Sequence, residues 1–142
     1  QRSVTATDIS PKAIAVARDN ASKLGADIAF VEGDGLAPVR GQVFDLVVSN
    51  PPYIAVGDGA VSPDVALFEP HVALYGGPRG LDVIERLLTG VPELLGHGGT
   101  FLCEIGHDQE APVRARAEQS FGDVDILPDL QGHPRLLVAT KS

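Results

Sequence analysis

The apolar run Val43-Phe44-Asp45-Leu46-Val47-Val48 is followed, after Ser49, by Asn50-Pro51-Pro52-Tyr53, and this junction limits what the chain can fold into. A short apolar run bounded by a turn signal reads as a buried strand. Two consecutive prolines cannot continue its ladder, because neither has an N–H to donate and each fixes its own φ. Asn50 precedes a proline and is pushed out of the helical region, so the strand ends in an extended turn. In such a turn the backbone carbonyls are held rigidly. The side-chain oxygen of Asn50 and the carbonyl of Pro51 can then both accept protons from one amino group, with the ring of Tyr53 against the same plane. The junction reads as a seat for a planar NH2 group. The plainer reading is loop punctuation, with Tyr53 covering the end of the sheet.

The rest of the chain alternates strand and helix. Val4-Thr5-Ala6-Thr7 is a β-prone run ending at Asp8. Ser10-Pro11 then offers an N-cap followed by proline at the first helical position. A helix over Pro11 to Leu24 carries Ile14, Ala17, Ala21 and Leu24 at helical spacing and stops at Gly25. Ile28 to Val31 reads as a second strand, closed by Glu32-Gly33-Asp34-Gly35, and Val43 to Val48 as a third, the pattern of parallel βαβ units. From Ile54 to Gly80 the sequence is rich in Gly, Pro and Asp without a sustained period, which reads as a long functional loop. Leu81, Ile84, Leu87, Leu88, Val91, Leu94 and Leu95 form a helical stripe that Pro92 is expected to kink or split. Gly96-His97-Gly98-Gly99 is expected to end that helix. Thr100 to Ile105 reads as a strand, Gln109 to Ser120 as a helix, and Val124 to Leu127 and Leu136 to Thr140 as an antiparallel pair finishing the sheet. Asp45, inside its strand, reads as a buried structural carboxylate.

Composition narrows the class. At 142 residues, 44% hydrophobic and 21% charged, the chain reads as one globular domain. A net charge of −8 argues against a protein whose affinity comes from neutralising many phosphates, though a local basic groove stays open. A single cysteine, Cys103, lies in an apolar run, reads as a small core residue and forms no intrachain disulfide, which points to a reducing cytosol. The sequence has no apolar stretch of membrane-spanning length and no basic-then-apolar start, so a cytoplasmic location and no membrane partner are expected. His71, His97, His107 and His133 share no metal-ligand spacing, and no metal is expected. Gln1 is not a methionine and a strand begins almost immediately, so the sequence reads as a piece of something longer.

An acidic residue after the first strand, Gly33-Asp34 after the next and Asn50-Pro51-Pro52-Tyr53 after the third together resemble the class I S-adenosylmethionine-dependent methyltransferases. The segments Asn50-Pro51-Pro52-Tyr53-Ile54, Phe68-Glu69-Pro70 with Ala73-Leu74, Gly80-Leu81-Asp82, and Glu104-Ile105-Gly106 with Gln109 narrow the resemblance. So do Asp129-Leu130, Gly132 and Arg135. Over nearly its whole length the chain is similar to the release factor glutamine methyltransferases. The resemblance implies an α/β, Rossmann-like methyltransferase sheet, mostly parallel with an antiparallel C-terminal hairpin, and residues 1–142 as a partial catalytic domain. It implies S-adenosylmethionine as cofactor, a peptide chain release factor as protein substrate, and no nucleic-acid partner except indirectly through the ribosome.

By position, the resemblance assigns Asp8 to the cofactor ribose, Asp34 to the adenine amino group and Gly35 to the adenine pocket, with Asn50 also against the cofactor. It assigns catalysis to Asn50, Pro51 and Tyr53, and substrate holding to Asn50, Pro51, Pro52 and Tyr53. Structural readings stand beside these: Asp8 as a helix-start residue, Asp34 as a turn former, Tyr53 as a lid on the core.

The sequence also departs from the family pattern. A glycine-rich loop after the first strand lets the backbone approach the cofactor, and the acidic ribose residue follows about 20 residues later. Asp8 fits that acidic position, so the loop and its strand would precede Gln1. The family's sheet puts that strand between those ending at Asp8 and at Asn50. Without it, unpaired interior backbone groups at about 1–3 kcal/mol each would leave this polypeptide poorly stable alone. Two alternatives remain: a nucleic-acid amino methyltransferase acting on adenine N6 or guanine N2, and an inactive fragment with no cofactor binding.

Overall fold

The computed structural model describes residues 3–57 and 70–142 and consists of two compact units, Gln1–Gln42 and Val43–Ser142. In the first, β1 (Thr5–Asp8) and β2 (Ala29–Glu32) pair in parallel, with Thr5 opposite Ala29 and Asp8 opposite Glu32. The crossover is α1 (Pro11–Leu24). Its start is set by the Ser10 hydroxyl, which accepts the Ala13 N–H at 3.3 Å, and by Pro11, whose missing N–H is no loss there. Its end is set by Gly25 at φ 65°, which lets the Ala26 N–H return to the Ala21 carbonyl at 2.9 Å. Ile14 and Ala21 are buried, but Leu24 is 83% exposed, so the inward stripe runs out before the helix does.

The second unit holds β3 (Phe44–Ser49), a single turn α2 (His71–Leu74), α3 (Asp82–Leu94), β4 (Leu95–Glu104), α4 (Glu110–Ala117), β5 (Asp123–Pro128) and β6 (Pro134–Thr140). Its four strands lie in the order β3-β4-β6-β5. β3 and β4 are parallel, while β4–β6 and β5–β6 are antiparallel, as the sequence pattern requires. α3 buries Ile84, Leu87, Leu88, Val91 and Leu94. At about 1.5–3 kcal/mol per buried aliphatic side chain, that stripe outweighs the cost of Pro92, which stays inside the helix. Along β4, Phe101 and Cys103 are fully buried and alternate with half-buried Leu102 and Glu104. Phe101 stacks on Phe121, with ring centroids 6.1 Å apart. Leu137 and Ala139 of β6 and Val113 and Ala117 of α4 complete this core. Burial, followed by the charge of Glu104, pushes the Cys103 thiol up to about 12, so the thiol stays protonated, as suits a core residue.

Three details differ from the sequence-based expectation. Gly96 to Gly99 do follow the end of α3, but they lie within β4, which begins at Leu95 rather than at Thr100, as an irregularity in its pairing: Phe44 faces Leu95, and the next paired residue, Leu46, faces Thr100. Gly98, at φ 73°, donates its N–H to the Lys141 carbonyl at 3.0 Å, and Gly99 accepts from the Lys141 N–H at 2.9 Å. α4 is shorter than Gln109 to Ser120: Gln109 stands at its N-cap, and residues 118–120 continue as a turn. Asp45 is exposed rather than buried, and with Leu46 and Val48 it leaves β3 open on both faces, as befits the sheet's edge strand. Of the expected long loop, residues 58–69 lie outside the described residues. Among the described residues no helix is long and apolar enough to cross a membrane.

The end of α3 is closed by Lys141, whose ammonium donates to the carbonyls of Pro92 and Leu95, both at 2.7 Å. These are orphan acceptors of a helix terminus, where a cation is also favoured by the helix dipole. Lys141→Met keeps the apolar stem and removes both bonds. It is expected to lower unfolding free energy by about 1–2 kcal/mol in urea titration. An unchanged midpoint would show that water replaces the ammonium.

Candidate active site at the ends of β3 and β4

Parallel pairing of Ser49 with Cys103 sets the carboxyl ends of β3 and β4 side by side. In open α/β sheets this is the edge where ligands bind. The chain leaving β3 through Asn50-Pro51-Pro52-Tyr53 is then fastened by the segment before α3. Ile54 donates to the Leu74 carbonyl at 3.1 Å and accepts from the Gly76 N–H at 2.9 Å, and the Val56 N–H donates to the Gly77 carbonyl at 3.0 Å. Two glycines make this approach possible. A Cβ on Gly76 would stand 2.4 Å from the Pro52 carbonyl oxygen. One on Gly80, at φ 70°, would stand 2.1 Å from the Tyr53 carbonyl oxygen. Only the absence of a side chain lets the two backbones meet.

Gln109 locks the arrangement. It is 5% exposed, and its amide nitrogen donates to the Tyr53 carbonyl at 3.0 Å and to the Gly80 carbonyl at 3.2 Å. Its amide oxygen accepts the Gly106 N–H at 2.8 Å. One side chain thus satisfies groups from three separate stretches of chain, and no other residue type offers two donors and an acceptor in that planar shape except asparagine, which is a methylene shorter.

The side chain of Tyr53 is held as well as its backbone. Its hydroxyl donates to Glu104 Oε1 at 2.8 Å. The guanidinium carbon of Arg135 lies 5.8 Å from its ring centroid, within cation–π range. Arg135 in turn donates to the Ile105 carbonyl at 3.0 Å. Burial, then the hydrogen bond and charge of Glu104, raise the Tyr53 phenol above its ordinary 10.0, against a smaller opposing pull from Arg135. The fold therefore favours the neutral phenol. This contribution to stability is complete below 10.0 and is lost as pH rises through the raised value.

A pocket of about 160 Å³ opens here, lined by Asn50, Pro51, Pro52, Tyr53, Ile54, Ala73 and Leu74. Asn50 is exposed and Pro51 buried. The structure thus gathers Asn50, Pro51, Pro52 and Tyr53 around one cavity. Asp8, Asp34 and Gly35 belong to the first unit. Asp8 Oδ1 accepts the Ser10 N–H at 2.7 Å at the start of α1 and the residue is exposed. Asp34 and Gly35 are exposed in the turn after β2, with Gly35 at φ 54°. Among the described residues no group of three His, Cys, Asp or Glu side chains is placed to hold a metal ion.

Gly76, Gly80, Glu104, Gln109 and Arg135 are the site residues for which sequence reasoning supplied no role. Four of them were visible as signature residues of the resemblance. Their work became apparent only when residues tens of positions apart came into contact.

The chain has the class I methyltransferase fold. It superposes on a methyltransferase from Pyrococcus furiosus with a TM-score of 0.73 at 20% identity, covering 99% of this chain and 63% of that one. It also superposes on a 16S rRNA N2 methyltransferase of T. thermophilus, solved in complex with AdoMet and guanosine, with a TM-score of 0.68 at 18% identity, covering 99% and 32%. Residues 1–69 match the family model "Methyltransferase small domain".

By sequence the chain is similar to the release factor glutamine methyltransferases. It is 43% identical over 140 residues to that protein of Koribacter versatilis, 45% over 140 residues to that of Moorella thermoacetica and 38% over 142 residues to that of Deinococcus radiodurans. These alignments cover 97%, 96% and 100% of this chain and 50%, 50% and 51% of the relatives. The chain spans about half the length of the curated relatives it matches.

Gln109→Ala should leave the Tyr53 and Gly80 carbonyls and the Gly106 N–H without their partner. A loss of about 2–4 kcal/mol in unfolding free energy is expected by urea titration. A loss below about 0.5 kcal/mol, the ordinary size of a neutral surface change, would mean that the amide is not the fastening point.

Proposed function

We propose that this chain is catalytic sequence of an enzyme that methylates the side-chain amide nitrogen of a glutamine in peptide chain release factors, with S-adenosylmethionine as methyl donor. What carries the proposal is the cavity at the end of β3, whose lining includes Asn50, Pro51, Pro52 and Tyr53. Its volume suits a single side chain and falls short of the roughly 300–1,000 Å³ of small-molecule sites. The names of the curated relatives supply the substrate class.

A glutamine amide nitrogen is a poor nucleophile, because its lone pair is delocalised into the carbonyl. In this reading, Asn50 Oδ1 and the Pro51 carbonyl accept its two N–H protons, orient the nitrogen and stabilise the positive charge that grows on it during attack. Pro51 and Pro52 contribute by rigidity, since a carbonyl that need not reorganise stabilises charge more effectively. Tyr53 packs on the plane of the amide. S-adenosylmethionine supplies a methyl group already attached to a good leaving group, so alignment accounts for much of the remaining catalysis. The acceptors of the first unit suit that molecule: the Asp8 carboxylate uses one oxygen on the Ser10 N–H and stays exposed at the carboxyl end of β1, as an acceptor for ribose hydroxyls must. Asp34 and Gly35, exposed after β2, are assigned to the adenine.

A second reading is an adenine or guanine amino methyltransferase, favoured by the shared fold of the rRNA enzyme. The net charge of −8 speaks against it. A third is a chain that binds no methyl donor.

The test is transfer of tritiated methyl from S-adenosylmethionine to a bacterial release factor, with the protein expressed in its full reading frame. Label on a glutamine is expected, and Asn50→Ala should reduce kcat about 10²-fold with donor affinity nearly unchanged. Equal turnover would remove Asn50 from the mechanism. Label on nucleic acid instead would establish the second reading, and no calorimetric heat from residues 1–142 alone with S-adenosylmethionine the third.

A further inference from the structure

Tyr53, one of the residues lining the cavity, is fixed at three places by groups outside it. Its carbonyl is held by Gln109 at 3.0 Å, its hydroxyl by Glu104 at 2.8 Å, and its ring has the Arg135 guanidinium 5.8 Å from the centroid. Neither Glu104 nor Arg135 lines the pocket. They come from different strands, Glu104 from the end of β4 and Arg135 from the start of β6, and antiparallel pairing brings those ends together, with the Ile105 N–H donating to the Arg135 carbonyl at 2.9 Å.

Arg135 is itself oriented. One guanidinium nitrogen donates to the Ile105 carbonyl at 3.0 Å, and its Nε stands 3.7 Å from Asp129 Oδ2. The other carboxylate oxygen of Asp129 accepts the N–H groups of Gln131 and His133 at 2.8 and 3.0 Å, which fixes the turn between β5 and β6. A chain of contacts therefore runs from a surface hairpin, through Arg135, to the ring beside the cavity. A planar ring with its hydroxyl tethered and one side occupied by a cation can neither swing nor flip freely. It meets a flat substrate group in one orientation.

We propose that Glu104 and Arg135 are positioning residues for the methyl-transfer reaction, which act by holding Tyr53 in the orientation that receives the substrate amide. The inference rests on the glutamine-methylation reading. It adds two residues that touch neither substrate nor donor, together with a hairpin whose Asp129 turn sets one of them.

The two clamp residues have opposite charge, and this makes positioning separable from electrostatics. Removing the negative charge with Glu104→Gln should bring the phenol's pKa down toward 10.0, and removing the positive charge with Arg135→Ala should raise it further. If the pair acted on the reaction through charge alone, the two variants would change turnover in opposite directions. If they position the ring, both lower kcat on release factor, by about tenfold to a hundredfold, with the KM for S-adenosylmethionine unchanged.

The experiment is a spectrophotometric phenol titration at pH 8–13, with Tyr53→Phe identifying the signal, alongside steady-state kinetics of the protein in its full reading frame. Glu104→Gln is then repeated on a Tyr53→Phe background, where no further loss of kcat is expected. Arg135→Lys keeps the charge and serves where Arg135→Ala fails to fold, with the same loss of kcat expected because lysine cannot replace a flat guanidinium on the ring. The proposal is overturned by unchanged kcat in both Glu104→Gln and Arg135→Ala, or by an undiminished Glu104→Gln effect without the Tyr53 hydroxyl. A wild type that leaves release factor unlabelled while its phenol titration keeps the predicted shifts defeats the methylation reading but not the contact itself. Titrations that move in neither variant defeat the contact.

Discussion

The carbonyl oxygen of Tyr53 is the point on which the site depends. It accepts from the buried amide of Gln109 and lies so close to Gly80 that no side chain fits there. Upstream of it stand two residues whose φ is fixed by a ring, and beyond it the chain bridges to Tyr75 through Ile54. The loop that ends β3 is therefore determined from both sides. A strand end of this kind can present the Asn50 amide and the Pro51 carbonyl without reorganisation, and preorganised acceptors are the sort that stabilise a growing charge.

The sheet provides the frame for this loop. Parallel β3 and β4 end together, and the antiparallel return of β6 adds a third strand end to the same edge, which is how Tyr53, Glu104 and Arg135 become neighbours across 82 positions of sequence. The core beneath is built on Phe101, Cys103, Leu137 and Ala139, all fully buried. Packing on that face leaves the alternate residues of β4, Glu104 among them, for the chemistry of the other. The same alternation that sorts apolar from polar side chains thus supplies the hydroxyl acceptor for Tyr53.

Much of this was legible from sequence because it is local. The start and stop of α1 are written in Ser10-Pro11 and Gly25, the stripe of α3 in five buried aliphatic residues, and the end of β3 in Asn50-Pro51-Pro52. What was not legible depends on contacts made at a distance. Gln109 reads as an ordinary first residue of a helix, and only the fold shows its amide turned inward on Tyr53 and Gly80. Arg135 reads as a strand residue. The Gly96–Gly99 run ends α3 as its composition suggests, but its hydrogen bonds to Lys141, more than 40 positions later, draw it into β4. Asp45 illustrates the opposite error: its apolar neighbours suggested burial, whereas β3 lies at the sheet's edge.

The proposed mechanism requires Asn50 Oδ1 and the Pro51 carbonyl oxygen to converge on a single amide nitrogen. The most direct measurement is a crystal structure of the protein, in its full reading frame, with S-adenosylhomocysteine and a release-factor peptide containing the glutamine. Both oxygens are expected within about 3.2 Å of the glutamine side-chain nitrogen, with the ring of Tyr53 over the amide plane. A glutamine bound elsewhere, or an amide nitrogen that meets only one of the two oxygens, would contradict it.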